Sequence, residues 1–199
     1  MFDYFGEKEL EKQKKFRQKR DIFLKKLVIF LTRYKITANH ITYFGIFLFF
    51  ISCLFIKICP ILAGVLLLFY CLSDGIDGPL SRYQNTQSKA GSLLDIFADQ
   101  LPIIILPLLS IIIFKTNSMF AYLFSMFYII EIFLLTILNA LKIKFGFVLR
   151  VKYFYYVIFI ISVILNKDFL LFFHIIFGVY YIFHSLFLYF KLINHYKNS

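Results

Sequence analysis

Four aspartates with helical spacing are the residues of this sequence best suited to chemistry. Asp74 and Asp77 are three residues apart, and Asp95 and Asp99 are four residues apart. Residues at either spacing project from one face of a helix, so two facing helices would bring the four carboxylates together. Carboxylate oxygens are the ligands that hard cations such as Mg²⁺ and Mn²⁺ prefer. The spacing therefore predicts a divalent-cation site made by all four aspartates.

Glycines and an arginine accompany the aspartates. Gly78 follows Asp77 directly, and Gly91 lies one helical turn before Asp95. Glycine lets a ligand approach the backbone closely. Arg82 lies one turn beyond Gly78 on the same face, where its guanidinium could bind a phosphate through two hydrogen bonds. The pattern predicts a phosphorylated ligand, although Arg82 could instead be a structural partner of Asp77 or Asp95.

The elements that carry these residues are predicted to be membrane helices. The chain has 199 residues, of which 61% are hydrophobic and only 17% charged, and this composition excludes most soluble classes. A membrane helix needs roughly 20 apolar residues. We expect an all-α bundle of six transmembrane helices. The second apolar run, residues 61–72, is short, but its helix can continue toward Arg82. The apolar runs cover residues 41–56, 61–72, 92–114, 119–141, 153–165 and 169–192.

The N-terminal region is predicted to be a basic arm that lies on the membrane surface. Half of the 22 Lys and Arg precede the first apolar run, and residues 23–34 place apolar side chains along one helical face. This pattern is typical of an amphipathic helix on an anionic leaflet. We expect the arm and surface helix over residues 1–36, a membrane domain over 37–193 and a tail over 194–199. Nucleic acid is not an expected partner, because the basic stretch runs directly into an apolar stripe.

The basic residues also predict the orientation of the helices. The turns predicted on one side of the bundle carry only Lys57, Lys115 and Lys167, and the other Lys and Arg belong to the opposite side. By the positive-inside rule, both termini and the aspartate cluster face the cytoplasm, as expected for a protein of the cytoplasmic (inner) membrane.

Within a membrane helix the aspartates need compensating charge. An Asp at the bilayer centre costs about 2.5 to 3.5 kcal/mol, so four deep and unpaired aspartates would cost on the order of 10 kcal/mol. Lys89 and Arg82 can neutralise two carboxylates at most. Two divalent cations balance all four, and we therefore expect two Mg²⁺ or Mn²⁺ ions.

The segment from Asp74 to Asp99 resembles the signature of the CDP-alcohol phosphatidyltransferase family. That signature is Asp-x-x-Asp-Gly-x-x-Ala-Arg, then eight residues, Gly, three residues, Asp, three residues and Asp. Each fixed position matches except Ser81, where the family usually has Ala. Serine is nearly as small and can hydrogen-bond within its own helix. The shorter segment Thr37–Thr42 is similar to the family's Thr-Pro-Asn-x-x-Thr stretch, with Ala38 in place of proline.

The resemblance implies a membrane transferase of phospholipid biosynthesis. It would move a phosphatidyl group from CDP-diacylglycerol, or an ether-lipid equivalent, to the hydroxyl of a small polar alcohol and release CMP. Asp74, Asp77, Asp95 and Asp99 would hold two metal ions, and Asp99 would also accept the proton of the acceptor hydroxyl. Family analogy further suggests a homodimer among membrane lipids.

Donor binding is predicted for residues from both matching segments. Gly78, Arg82 and Ser88 match family positions that bind the nucleotide and its phosphates. The segment that begins at Thr37 resembles the family's other nucleotide-contacting loop. Ser88 has an alternative interpretation as the N-cap of the third membrane helix, because it lies three residues before Gly91. The predicted donor-binding residues are Thr37, Asn39, Gly78, Arg82, Ser88 and Gly91.

Acceptor binding is predicted for basic residues near the fourth connection. Lys142, Arg150 and Lys152 would suit an anionic acceptor of the glycerol phosphate or inositol phosphate type, although positive-inside topology also explains a basic loop. Glu131 lies near the middle of a span, where ionisable groups usually face the bundle interior. It could be a protonated packing residue, a partner for a polar group on another helix, or part of a subunit contact.

Three other functions are compatible with parts of the sequence. A CDP-aminoalcohol phosphotransferase acting on diacylglycerol would share the same signature. A divalent-cation transporter would need polar groups along a path through the bilayer, and only Glu131 continues outward from the aspartates. A membrane prenyltransferase would bind a metal-diphosphate through Asp-rich loops, but the Gly78, Arg82 and Gly91 spacing matches the phosphatidyltransferase pattern instead.

Overall fold

The computed structural model of the chain describes residues 7–146 and 148–197, and the regular elements in those ranges are α-helices. In chain order they are α1 (Glu7–Arg33), α2 (Ala38–Phe55), α3 (Pro60–Tyr83), α4 (Lys89–Phe114), α5 (Ser118–Ala140), α6 (Lys152–Leu165) and α7 (Leu170–Lys197).

Five of these helices, α2, α3, α4, α5 and α7, are long and apolar enough to cross a membrane. The α3 helix continues past its apolar run to Tyr83, as predicted. The α6 helix is apolar but has only 14 residues, fewer than the roughly 20 that a perpendicular span needs. The all-helical membrane architecture is therefore confirmed, whereas the sixth span and the surface position of α1 stay predictions.

The chain divides into two compact units, with the boundary inside α4. The first unit contains Glu7–Asp99, and the second contains the described residues from Gln100 onward. The predicted boundary near residue 36 separates a surface arm from a membrane domain, and it stays a prediction because it concerns position relative to a bilayer.

In the first unit, α2 and α3 pack closely against each other. A Cβ at Gly45 would collide with the hydroxyl group of Ser73, so glycine permits this approach. Farther along the pair, the Ser52 hydroxyl donates to the carbonyl of Ala63 at 2.7 Å. These contacts fix the start of α2 beside the end of α3, where the matching sequence segments lie.

The α1 helix is held against the end of α3 by hydrogen bonds at its own C-terminal end. Gln84 follows α3, and its side-chain amide donates to the carbonyl of Ile36 at 2.7 Å and to the hydroxyl of Thr32 at 3.2 Å. Lys35 adopts a left-handed conformation with φ of 57°, which ends α1 and turns the chain toward α2. The described part of the arm, from Glu7 onward, thus belongs to the folded first unit.

In the second unit, aromatic rings fill the core between α5, α6 and α7. Phe124 contacts the rings of Tyr155, Phe173 and Tyr181, with centroids 5.1, 5.5 and 6.0 Å away. Gly178 places α7 against the backbone of α5, where a Cβ would be in ordinary van der Waals contact with the Phe124 nitrogen at 3.6 Å. Such aromatic pairs stabilise a core beyond their apolar area.

Two connections of the second unit, which are predicted to lie on the same side of the bundle, contact each other. The Thr116 hydroxyl in the α4–α5 turn donates to Asp168 in the α6–α7 turn at 2.9 Å. Asp168 also caps α7, since its other oxygen accepts from the backbone nitrogens of Leu170 and Leu171 at 2.9 and 3.2 Å.

Candidate active site

Three of the four aspartates form a cluster at the end of the first unit. Asp74 on α3 and Asp95 and Asp99 on α4 each place one carboxylate oxygen within 4.8 Å of the others. The Tyr70 hydroxyl donates to the carbonyl of Ala98 at 3.1 Å, one turn before Asp74 and next to Asp99. This bond holds the two helices in the register that the cluster requires.

The cluster fits a hard divalent cation. All three donors are carboxylates, and the two ligands on opposite sides of a Mg²⁺ ion are about 4.2 Å apart. Separations of up to 4.8 Å therefore close onto a cation through small side-chain movements. Asp99 is buried, whereas Asp95 is exposed, so the cluster extends from the interior of the unit to its surface.

Asp77 is not one of this group of three, although it is close enough to Asp74 and Asp95 to interact with them electrostatically. It is buried, with 8% exposure, and its Oδ2 atom accepts a 2.8 Å hydrogen bond from the Thr42 hydroxyl of α2. The predicted set of four is thus divided into a cluster and one carboxylate that faces α2. Helical spacing predicts which aspartates share a helix face. It contains no information on the hydrogen bond that Thr42 of α2 donates to Asp77.

A cavity of about 240 Å³ lies beside the aspartates, between the start of α2, the end of α3 and the start of α4. Asp77 and Asp95 belong to its wall. Five of the six predicted donor-binding residues also line it, namely Thr37, Asn39, Gly78, Ser88 and Gly91. The structure therefore brings together two sequence segments that are some forty residues apart.

Polar residues that the sequence analysis did not select also line the cavity. They are Thr42, Ser81, Thr86, Gln87 and Ser92. Thr42 and Ser81 lie inside the two matching segments, so their positions in those motifs could have identified them. Thr86 and Gln87 belong to the loop between α3 and α4. No motif position identifies them as cavity residues, and only their polarity could have indicated a binding role.

Ser88 and Gly91 show why the start of α4 forms part of this wall. The Ser88 hydroxyl accepts a 3.0 Å hydrogen bond from the Gly91 nitrogen, so Ser88 is an N-cap as well as a cavity residue. A Cβ at Gly91 would lie 3.2 Å from that hydroxyl and 3.7 Å from Asn39 Oδ1. A Cβ at Gly91 would thus crowd the Ser88 cap and make ordinary contact with the α2 segment.

Thr37 has a similar double position at the start of α2. Its hydroxyl accepts from the His40 nitrogen at 3.4 Å, and its own nitrogen donates to His40 Nδ1 at 3.3 Å. This reciprocal cap fixes the backbone at the rim of the cavity.

Arg82 is paired with α1. Its Nε donates to Asp21 Oδ2 at 2.9 Å, and its Nη2 donates to Asp21 Oδ1 at 2.6 Å. The sequence pattern indicated Asp77 and Asp95 as possible structural partners and gave no signal for Asp21, which is 61 residues away in a different helix. Arg82 still lies next to the cavity, because a Cβ at Gly78 would be 3.3 Å from its Nη1 atom.

The predicted acceptor residues belong to the second unit, around the connection from α5 to α6. Lys142 follows α5 with φ of 57°, and Arg150 and Lys152 lie at the start of α6. Leu149 is fixed by α7, since its nitrogen donates to the Tyr180 hydroxyl at 3.2 Å and its carbonyl accepts from Tyr181 at 3.0 Å. The part of the connection at Leu149 is thus held against α7.

Glu131 has a partner on another helix, which was one of its three predicted roles. It is 1% exposed, and its Oε1 atom lies 3.2 Å from His184 Nδ1 on α7.

Comparisons with known proteins agree with the motif. A family model described as CDP-alcohol phosphatidyltransferase matches residues 35–190, which include the cavity wall and the four aspartates. An uncharacterized protein of Aquifex aeolicus (strain VF5) is 40% identical over 84 residues. That match spans 40% of this chain and 43% of the relative, so it covers less than half of either protein.

Proposed function

The chain belongs to the CDP-alcohol phosphatidyltransferase family, a family of transferases for substituted phosphate groups, and from this premise we propose its reaction. It transfers a phosphatidyl group from CDP-diacylglycerol, or an ether-lipid equivalent, to the hydroxyl of a small polar alcohol and releases CMP. The observation that carries the proposal is the carboxylate cluster of Asp74, Asp95 and Asp99 next to a polar cavity.

The cavity supports binding of the nucleotide part of the donor. Its wall offers hydroxyl and amide groups from Thr37, Asn39 and Ser88, which suit the ribose and the cytosine. Gly78 and Gly91 leave the helix surfaces open to close contact. The diphosphate then extends from this cavity toward the carboxylate cluster, and the lipid tails remain in the membrane.

The carboxylates support a metal-assisted transfer. Asp74, Asp77, Asp95 and Asp99 would hold two divalent cations, which supply positive charge to the diphosphate and the departing CMP. Asp99 accepts the proton of the acceptor hydroxyl. The acceptor oxygen forms a bond to the β-phosphorus, the bond from that phosphorus to the CMP oxygen breaks, and CMP leaves.

A phosphorylated acceptor is the preferred candidate in this proposal. Lys142, Arg150 and Lys152 give the second unit a group of cations, and a glycerol phosphate or inositol phosphate has the complementary charge. Because the relative matches only part of its length, it contributes nothing to the choice of acceptor.

The proposal places both termini and the reaction on the cytoplasmic side of the inner membrane. Apolar side chains on α1 support a surface position for that helix, because Phe23 and Phe30 are 86 and 55% exposed. A homodimer is also part of the proposal, and cross-linking in native membranes tests it.

The decisive assay is CMP release by the purified protein in detergent. CDP-diacylglycerol is combined with a panel of alcohols, and a parallel set combines CDP-choline or CDP-ethanolamine with diacylglycerol. We expect CMP only in the first set, with a phosphorylated alcohol as the best acceptor. CMP release only in the second set would replace the proposal with the aminoalcohol reaction, and release in neither set would contradict both.

A further inference from the structure

The α1 helix places a second guanidinium next to Gly78, a residue that lines the cavity. A Cβ at Gly78 would meet Arg20 Nη2 at 3.4 Å as well as Arg82 Nη1 at 3.3 Å. Gly78 itself lines the cavity. Two arginines, one from α1 and one from α3, thus converge on the same glycine, whereas the family signature accounts only for Arg82.

The two guanidiniums have unequal surroundings. Asp21 pairs with Arg82 through two hydrogen bonds of 2.9 and 2.6 Å. Arg20 Nε is buried, and among the residues that the structure describes it has no hydrogen-bond partner. A buried cationic donor without an acceptor is unfavourable, and two neighbouring guanidiniums repel each other unless an anion lies between them. Asp21 is thus paired with one of the two guanidiniums, and in the described part of the chain the Nε atom of the other lacks such a partner.

We propose that Arg20 is a binding residue for the diphosphate of the CDP-linked donor, and that Asp21 orients Arg82 beside it. This inference rests on the proposed function and extends it, because α1 then forms part of the binding site in addition to lying on the membrane. The recognised chemistry is a phosphate or diphosphate group, which a pair of guanidiniums binds through charge-assisted hydrogen bonds. Between a nucleotide donor and an anionic lipid headgroup, the position at the cavity wall favours the nucleotide.

The test compares Arg20→Ala with Lys19→Ala. Lys19 is the neighbouring residue on α1, has the same charge and is exposed. The donor KM, the acceptor KM and kcat are measured in uncharged detergent, and binding of CDP is measured separately by calorimetry. We expect Arg20→Ala to raise the donor KM and the CDP dissociation constant about 10- to 100-fold, the range for one lost charge-assisted bond. Lys19→Ala should change neither by more than about twofold.

A third variant, Arg20→Lys, separates recognition from folding. It keeps the charge but loses the planar fork, so its CDP affinity should lie between those of the wild type and Arg20→Ala. Should Arg20→Ala fail to purify as a folded protein, Arg20→Gln takes its place with the same expectation.

Three results would overturn the inference. Unchanged CDP affinity and donor KM in Arg20→Ala would remove Arg20 from the donor site, and equal losses in Lys19→Ala would reduce its role to general surface charge. A loss that is confined to binding of phosphatidylglycerol vesicles, with CDP affinity intact, would assign Arg20 to a lipid headgroup. In each of these cases, normal CMP release by the wild type would still support the proposed function. Conversely, CDP binding that depends on Arg20, without any CMP release, would contradict only the proposed reaction.

Discussion

The two units of this protein use their buried polar groups differently. In the first unit, the polar residues of α2, α3 and α4 surround a cavity and a carboxylate cluster. In the second unit, the hydrogen bonds of the buried polar side chains join core residues to each other or to the backbone, although among the described residues Glu131 Oε2 and His174 Nδ1 have no hydrogen-bond partner. Tyr155 contacts His174 at 3.1 Å, and the Ser125 hydroxyl donates to a backbone carbonyl at 2.8 Å.

This difference indicates where the chemistry is carried. A polar group in an apolar core is costly unless it has a hydrogen-bond partner, so paired groups such as Tyr155 and His174 belong to the stability of the fold. The carboxylates gathered beside the cavity differ, because their mutual repulsion disfavours the cluster and a divalent cation would offset that repulsion. We therefore propose that the first unit is the binding and reacting part, and matched substitutions in the two units test this proposal.

Removal of divalent metal should have the largest effect. We expect EDTA to abolish CMP release, because the carboxylates would otherwise repel the donor diphosphate, and we expect added Mg²⁺ or Mn²⁺ to restore it. Circular dichroism should be unchanged, since the paired groups of the second unit need no metal. Sustained CMP release in the presence of EDTA would contradict the proposal that the first unit depends on metal and the second does not.

Asp99→Asn should be nearly as severe. The amide cannot accept the hydroxyl proton, and loss of a general base lowers kcat about 100- to 10,000-fold. Asp168→Asn makes the same chemical change in the second unit, where Asn still caps α7. The control should retain wild-type kcat, and retained turnover in Asp99→Asn would exclude Asp99 as the base.

Basic residues of the second unit should give an intermediate effect that is confined to one substrate. Lys142→Ala and Arg150→Ala should raise the KM of a phosphorylated acceptor about tenfold, the equivalent of one charge-assisted bond, with the donor KM unchanged. Lys197→Ala, at the exposed end of α7, is the matched control. Acceptor KM values equal to the wild type in both variants would show that these residues serve topology alone.

Asp168→Ala should have the smallest effect on activity and a clear effect on stability. The variant loses the α7 cap and the hydrogen bond from Thr116, which should cost about 1 to 3 kcal/mol. We expect a lower thermal unfolding midpoint and normal kcat below it. A large loss of kcat at temperatures where the protein is folded would contradict the division of roles.

Most of the helical layout could be predicted from the sequence, because apolar runs and their breaks depend on local composition. The fifth helix spans Ser118–Ala140 against a predicted run of 119–141, and α3 extends to Tyr83 as expected. The status of α6 could not be predicted, since 14 apolar residues are compatible with a short span or with a buried helix.

The site was predictable where its residues share a motif and hidden where its contacts cross helices. Spacing along α3 and α4 identified the four aspartates, but it could not separate Asp77 from the other three, because that depends on Thr42 of α2. The pairing of Arg82 with Asp21 and the approach of Arg20 to Gly78 join α1 to α3 across some sixty residues. Periodicity defines the face of a helix and leaves its neighbours undefined.

The most direct test of the central claim is a Mn²⁺ titration followed by electron paramagnetic resonance, which reports the free aqueous ion. The wild type should take up two Mn²⁺ ions per chain, Asp95→Asn should leave a larger share of Mn²⁺ free, and Asp168→Asn should bind like the wild type. Equal Mn²⁺ uptake by Asp95→Asn and the wild type would contradict a metal centre at the aspartate cluster.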